Sequence, residues 1–422
     1  MTIKKHFIIG AGPAALSALE EIRRVTPEDE VKLVTKEEHP PYSPAALPYL
    51  LSGRITEAAL WMRSENYFEN LRSSLVMGME VRQVVPEHQK VVYADGTSEN
   101  YDTLLIASGA EPTIPPIKGM EEVDVQSFRT LADCRRLMQV LTGKKDVAVL
   151  GAGMMGIKIA VALQGKGYRV NIIEKEPGVL PLHFDDEAQK YIRDIFTEQK
   201  IHLFIGTSIT SVQRKGERIR ITLPKGGGID ADILINATGV KSRVSFLEGT
   251  EIKLNKGIGV DRRMWAGTDN IYAAGDVAEA HDFFTGEPKM NGIIPGAVNQ
   301  GRVAGANMAG GDEKYEGGIP VTAFSFAGNN AFSIGIMAPK DNAGLILKQK
   351  DDERRRFKKL VFSEDRLIGG MFLNEKIDPG LILHLIKRRV DMTPHKEALF
   401  EGTKPLTDPW LSPLKFSPVS GR

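Results

Sequence analysis

Cysteine is almost absent: the 422-residue chain has one, Cys134. A lone thiol cannot close an internal disulfide or ligate a zinc or iron–sulfur centre by itself, so any metal cluster must sit on another chain. The same scarcity fits a reducing, cytoplasmic setting. Excess charge is missing too. The 55 Lys and Arg against 54 Asp and Glu leave +1, which gives no field for a polyanion and argues against nucleic acid as a partner. No charge-free run reaches the roughly 18 residues of a membrane helix; the longest candidate, residues 147–163, contains Lys158 and three glycines. No membrane partner is expected. Lys4 and Lys5 before an apolar stretch imitate a signal peptide, but the glycines inside that stretch have another explanation.

What is present is length for about three domains at roughly 150 residues each, and a strand–turn–helix unit that occurs twice. Residues 5–9 form a short apolar run, Gly10-Ala11-Gly12-Pro13-Ala14-Ala15 follows, then a helical pattern to Val25 and a second strand. The arrangement recurs as 146–150, Gly151-Ala152-Gly153-Met154-Met155-Gly156, a helix to Gly165 and a strand over 169–173. The repeat offset is too long for a solenoid and suits two nucleotide-binding domains. Apolar strands ending at Gly109, at Gly239 and at Gly275-Asp276 bracket the second unit, so the first domain is read as interrupted by the second and then resumed. From residue 319 the pattern turns strand-rich, with a hairpin about Glu364-Asp365 and a helix from Pro379. Residues 402–422, with Pro405, Pro409, Pro413 and Pro418, read as an extended arm, packed either on its own domain or on another subunit.

Pyrophosphate demands close backbone approach and unpaired N–H groups, which a Gly-rich turn opening a helix supplies. Gly10, Gly12 and Ala15 meet that requirement once; Gly151, Gly153 and Gly156 meet it again. Each turn has an acid about 20 residues on. Glu174, at the second strand end, can take the adenosine ribose and repel a 2′-phosphate, which favours NAD over NADP. Glu37 is the corresponding acid for the first site. Two different dinucleotides make sense as a flavin and a nicotinamide, and the carboxylate of Asp276 suits a ribityl chain. A helix expected to start near Ala297 aims its dipole at the flavin pyrimidine edge. FAD therefore belongs to the first, resumed domain.

The stretches FIIGAGPAA, LLIASGAEP, VLGAGMMG, INATG, IYAAGD and PGAVNQGR, in that order, resemble the FAD-dependent pyridine nucleotide-disulfide oxidoreductase superfamily over residues 1 to about 400. The resemblance implies an α/β fold with two Rossmann-like dinucleotide-binding domains: FAD-binding over 1–110 and 241–318, an NAD domain inserted at 111–240, and a C-terminal α+β interface domain over 319–401. It implies FAD contacts at Gly10, Gly12, Pro13, Ala14, Glu37, Val81, Ala107, Gly109, Gly275, Asp276 and Ala297, with the Val81 backbone at the adenine. NAD contacts fall on Gly151, Gly153, Met154, Met155, Gly156, Glu174 and Gly239. Two departures matter. Ala45 stands where the oxidase and coenzyme A-disulfide reductase branch has its redox cysteine, and alanine can form neither a sulfenic acid nor a mixed disulfide. Lys158 stands where the superfamily has a Glu near the nicotinamide; the plainer reading is an exposed helix residue.

No side chain is therefore expected to be catalytic, the flavin being the redox centre, and no metal site is expected. Cys134 is read as structural, the charge run 351–359 as a solvated hairpin, and His384 and His395 receive no role. A flavin accepts hydride and can release electrons singly, so the outlet is an iron–sulfur or ferredoxin-like carrier. The cysteine-free loop, short C-terminal domain and Pro-rich tail resemble NAD-reducing FAD subunits of hetero-oligomeric 2-oxoacid dehydrogenase complexes, phenylglyoxylate-oxidising ones among them. A free-standing NADH:ferredoxin or NADH:rubredoxin reductase shares every motif. A flavin-bound structural or signalling protein is the alternative of another class.

Overall fold

Apolar runs that are buried on both faces have to become central strands, and five of them assemble the first sheet. In the computed structural model, which describes residues 2–268, 270–338 and 344–402, this sheet runs Ile271–Ala273, Thr103–Ile106, Lys5–Ile9, Glu30–Val34, Ser73–Val76, all parallel. The outermost strand comes from far along the chain, so the sheet closes only after an insertion. Ile8, Leu33, Leu104, Leu105 and Ile106 are fully buried in it. The arm expected over 402–422 lies, from residue 403 on, outside the described residues.

The insertion carries a second parallel sheet, in the order His202–Ile205, Arg169–Glu174, Asp146–Leu150, Ile233–Asn236, Val125–Gln126. Both connecting segments run side by side: Ala110–Pro112 pairs antiparallel with Val240–Ser242. Two further antiparallel three-stranded sheets, Val81–Val85 with Lys90–Tyr93 and Ser98–Asn100, and Ser211–Lys215 with Arg218–Thr222 and Gly228–Ala231, had no clear signature in the sequence.

Helix Pro13–Val25 opens at Gly12 with proline at its first position, where the missing N–H costs nothing. It lies against helix Ile294–Met308, which starts three residues before the expected Ala297 because Pro295 nucleates it. The packing is backbone on backbone. A Cβ on Gly301 would stand 2.1 Å from the Ala14 carbonyl oxygen, and one on Gly305 2.5 Å from that of Ala18. Glycine at positions four apart thus joins the two chain-distant halves of the domain.

The described chain divides into two compact units, 1–179 with 195–319, and 180–194 with 320 onward. The second contains a five-stranded antiparallel sheet, Val321–Phe326, Asn329–Gly335, Arg366–Leu373, Arg356–Ser363, Leu345–Asp351. Its hairpin turns at Glu364 and Asp365, both left-handed at φ 47° and 60°, and helix Pro379–Arg388 follows. Residues 180–194 are fastened here. Asp185 accepts from Lys359 Nζ at 2.8 Å, the His183 ring meets the Thr322 hydroxyl at 2.9 Å, and Lys348 pairs with Glu187. The basic stretch at 354–359 is also largely spent internally: Arg356 faces Glu375, Lys358 covers the Phe400 ring, and Lys359 is buried.

Candidate functional site: two dinucleotide cradles

The strand Lys5–Ile9 ends at Gly10, whose φ of +114° and close approach to Ala107 both require glycine; a Cβ there would lie 2.2 Å from the Ala107 carbonyl oxygen. The next glycine has the opposite surroundings. A Cβ on Gly12 would meet nothing within 4 Å, and neither would one on Gly109. The turn is therefore tight beneath and open above, which is the room a pyrophosphate needs against the start of helix Pro13–Val25. Gly275 closes the group: a Cβ on it would sit 3.3 Å from Ala14 and 3.7 Å from Ala297. Five expected residues, Gly10, Ala14, Ala107, Gly275 and Ala297, thus meet at one place. The buried Gln300 accepts from the Gly275 N–H at 2.8 Å and pins the strand end to the helix.

Acids flank this cradle at both ends. Glu37 is half-buried, and its backbone is held by Thr35 Oγ1 at 3.2 Å and by the Gly78 N–H at 3.1 Å; the buried Val81 lies just beyond. Its carboxylate accepts from the Tyr42 hydroxyl at 2.7 Å. Asp276 accepts from the Arg129 guanidinium at 2.5 Å. Arg129 and Tyr42 were missed by sequence reasoning; neither lies in a Gly-rich turn or at a strand end, Arg129's partner is remote in the chain, and Tyr42, only five residues from Glu37, sits at no spacing that announces the contact.

The second cradle repeats the design. Gly151 approaches the Ala237 carbonyl and Gly156 the Gly151 carbonyl, at 2.5 and 2.0 Å from a notional Cβ, whereas Gly153 opens onto free space. Met154 and Met155 begin helix Met154–Gln164. Glu174 stands at the strand end, where its two oxygens accept from Ala152 N at 2.7 Å and Glu176 N at 2.9 Å, so the acid and the turn are locked together. The Gly239 carbonyl accepts from Thr113 N at 3.0 Å at the crossing of the connecting ribbon. Among the described residues no group of His, Cys, Asp and Glu is arranged to hold a metal ion.

The residues present fit two dinucleotides: open Gly-rich turns, helix starts, and a carboxylate within reach of each. FAD at the first cradle would be held by Gly10, Gly12, Pro13 and Ala14 along the pyrophosphate, with Glu37 and Asp276 toward its two polyol segments. No thiol stands by. Ala45 is exposed on the short turn Pro44–Ala46 that precedes helix Leu47–Leu51. Cys134 is fully buried in helix Leu131–Val140, and burial pushes its thiol up to about 11. Lys158 is half-buried rather than exposed. Burial lowers its pKa, and no acid among the described residues pairs with it.

Comparison with known proteins places these motifs in context. The pyridine nucleotide-disulphide oxidoreductase family matches residues 4–305, and the rubredoxin NAD+ reductase C-terminal domain matches residues 320–390. The chain is similar to the NADH-dependent phenylglyoxylate dehydrogenase subunit epsilon of Aromatoleum evansii, 34% identical over 393 residues that cover 92% of this chain and 93% of the relative. It is 30% identical to an NADH oxidase of Methanocaldococcus jannaschii, with 89% of each chain covered. Among solved structures, the ferredoxin reductase for the CYP199A2 system of Rhodopseudomonas palustris superposes with a TM-score of 0.81 at 26% identity, covering 88% of this chain and 91% of that one.

Proposed function

Because this chain belongs to the pyridine nucleotide-disulphide oxidoreductase family of FAD- and NAD(P)-dependent enzymes, we propose that it is an electron-transfer subunit that binds FAD and NAD and exchanges electrons with an iron–sulfur or ferredoxin-type partner. Its direction in this reading is reduction of NAD+ within a hetero-oligomeric 2-oxoacid dehydrogenase complex, phenylglyoxylate being the substrate class that its relative's name supports. The FAD domain is taken as 1–110 and 241–318, the NAD domain as 111–240 and the interface domain as 319–401, with the segment 180–194 packed in the compact unit of the interface domain.

One observation carries the reading. The turn that presents Ala45 offers no thiol, and the only cysteine, Cys134, whose sulfur lies 3.9 Å from the Leu47 carbonyl of the adjoining helix, is fully buried there with a poorly ionising thiol. Bound FAD would supply the conversion between hydride transfer and single-electron transfer. The chain's own groups orient and exclude. Glu174, braced by Ala152 N, presents a carboxylate that disfavours a 2′-phosphate, which supports NAD. Asp276, neutralised by Arg129, presents acceptors without a free charge. The test is anaerobic: NADH should bleach the flavin, and an iron–sulfur protein should restore its colour. Rapid recolouring by peroxide or a disulfide, with no response to an iron–sulfur acceptor, contradicts the proposal. Flavin that NADH leaves unbleached supports the structural or signalling alternative.

A second reading, a free-standing ferredoxin or rubredoxin reductase, is supported by the match of residues 320–390 to the rubredoxin NAD+ reductase C-terminal domain. Native purification separates the two: co-elution with iron-containing subunits supports the complex, and a chain that elutes alone supports the free-standing enzyme.

A further inference from the structure

Tyr42 is buried yet polar at its tip, and its hydroxyl makes two hydrogen bonds that tie together parts of the chain far apart in sequence. It donates to Glu37 at 2.7 Å and accepts from the Leu131 N–H at 3.0 Å. A tyrosine hydroxyl has one proton. With Leu131 N–H directed onto its oxygen, that proton goes to Glu37, and burial, together with the carboxylate beside it, drives the phenol pKa far up, so the donor persists at any ordinary pH. The bond engages Glu37 Oε2, which leaves Oε1 for another donor.

Leu131 opens the helix whose approach is rigid. Asp133 accepts from both Arg129 N and Thr130 N at 2.9 Å, while Thr130 Oγ1 accepts from Asp133 N at 3.1 Å. The same tripeptide, 129–131, carries the Arg129 guanidinium to Asp276. Glu37 and Asp276, the acids at the two ends of the first cradle, are therefore both held from one locked segment.

We propose that Tyr42 is a positioning residue for FAD, which fixes the Glu37 carboxylate for the adenosine ribose and registers it against the segment that holds Asp276. This rests on reading the first cradle as the FAD site and Glu37 as its ribose acid. Without the phenol, a half-exposed glutamate must be immobilised when the cofactor binds, and that ordering weakens affinity.

The measurement is the FAD dissociation constant of the full-length chain stripped of flavin, for wild type, Tyr42→Phe, Glu37→Gln and the double variant. Tyr42→Phe should weaken FAD about tenfold, or about 1.4 kcal/mol, and Glu37→Gln at least as much. In the Glu37→Gln background the tyrosine change should cost less than twofold, because the group it positions is no longer a carboxylate. A purely structural tyrosine gives an equal cost in both backgrounds, and that result overturns the proposal. So does wild-type affinity in Tyr42→Phe or in Glu37→Gln, with the FAD site itself left standing. A wild-type chain that takes up no FAD overturns the site and the proposal together.

Discussion

Burial decides the charge state of two histidines. His6, 1% exposed in the first strand, meets Thr103 through Nδ1 and Asp29 through Nε2, yet desolvation outweighs the carboxylate and lowers its pKa; His183 is lowered by burial alone. A neutral His in the fold that binds a proton more readily when unfolded contributes stability fully present above the ordinary pKa of about 6.5 and lost as pH falls below it. The melting temperature should therefore drop as the pH is lowered from about 7 to 5, and His6→Gln should flatten that decline. Cys134 gives a second expectation: the native chain should leave Ellman's reagent nearly unreacted, and one thiol should appear in denaturant. Ala45→Cys should add a thiol that reacts natively, since position 45 is exposed. At this scale the acids Glu37, Glu174 and Asp276 were legible as candidates because each stands at a strand end or three residues past it. Arg129 and Tyr42 were not: Arg129 meets Asp276 147 residues away, and Tyr42 joins the nearby Glu37 to Leu131 89 residues away, a meeting that no local spacing announces.

Strands and turns were the most legible elements, because a parallel strand buried on both faces must be a continuous apolar run and a pyrophosphate turn must be glycine-rich. The runs at 5–9 and 146–150 become strands with those bounds. Partnerships between helices left a weaker trace. Gly301 read as part of a motif and Gly305 drew no reading, whereas the structure gives both a packing role, against Ala14 and Ala18. Gly305→Val should destabilise the chain by at least about 3 kcal/mol in urea unfolding, since the obstacle is backbone that cannot swing aside. The same variant should lose flavin, whereas Gly310→Ala, where a Cβ meets nothing but φ is +92°, should cost about 1 kcal/mol. Wild-type urea behaviour of Gly305→Val would refute the packing account.

At the scale of the molecule the two-cradle design was read from the offset repeat, but the allegiance of residues 180–194 was not, because a loop's contacts depend on which side chains await it. Lys359 and Asp185 make that allegiance testable, their side chains being 9% and 27% exposed. Asp185→Ala strands a buried ammonium and should cost about 3 kcal/mol, whereas adding Lys359→Met to it should restore most of that loss. A double variant no more stable than Asp185→Ala would show the pair to be incidental. The discontinuous first sheet reaches beyond the finished protein into its synthesis. Strand Thr103–Ile106 waits for its neighbour Ile271–Ala273, whose Ile271 pairs with Leu104, through the 164 residues that separate the two strands. At roughly 5 to 20 residues per second that is about 8 to 30 s. During that interval an apolar strand edge stays bare on the ribosome while the inserted nucleotide unit can already complete its own sheet, so the nascent chain passes through a window in which chaperone protection decides its yield.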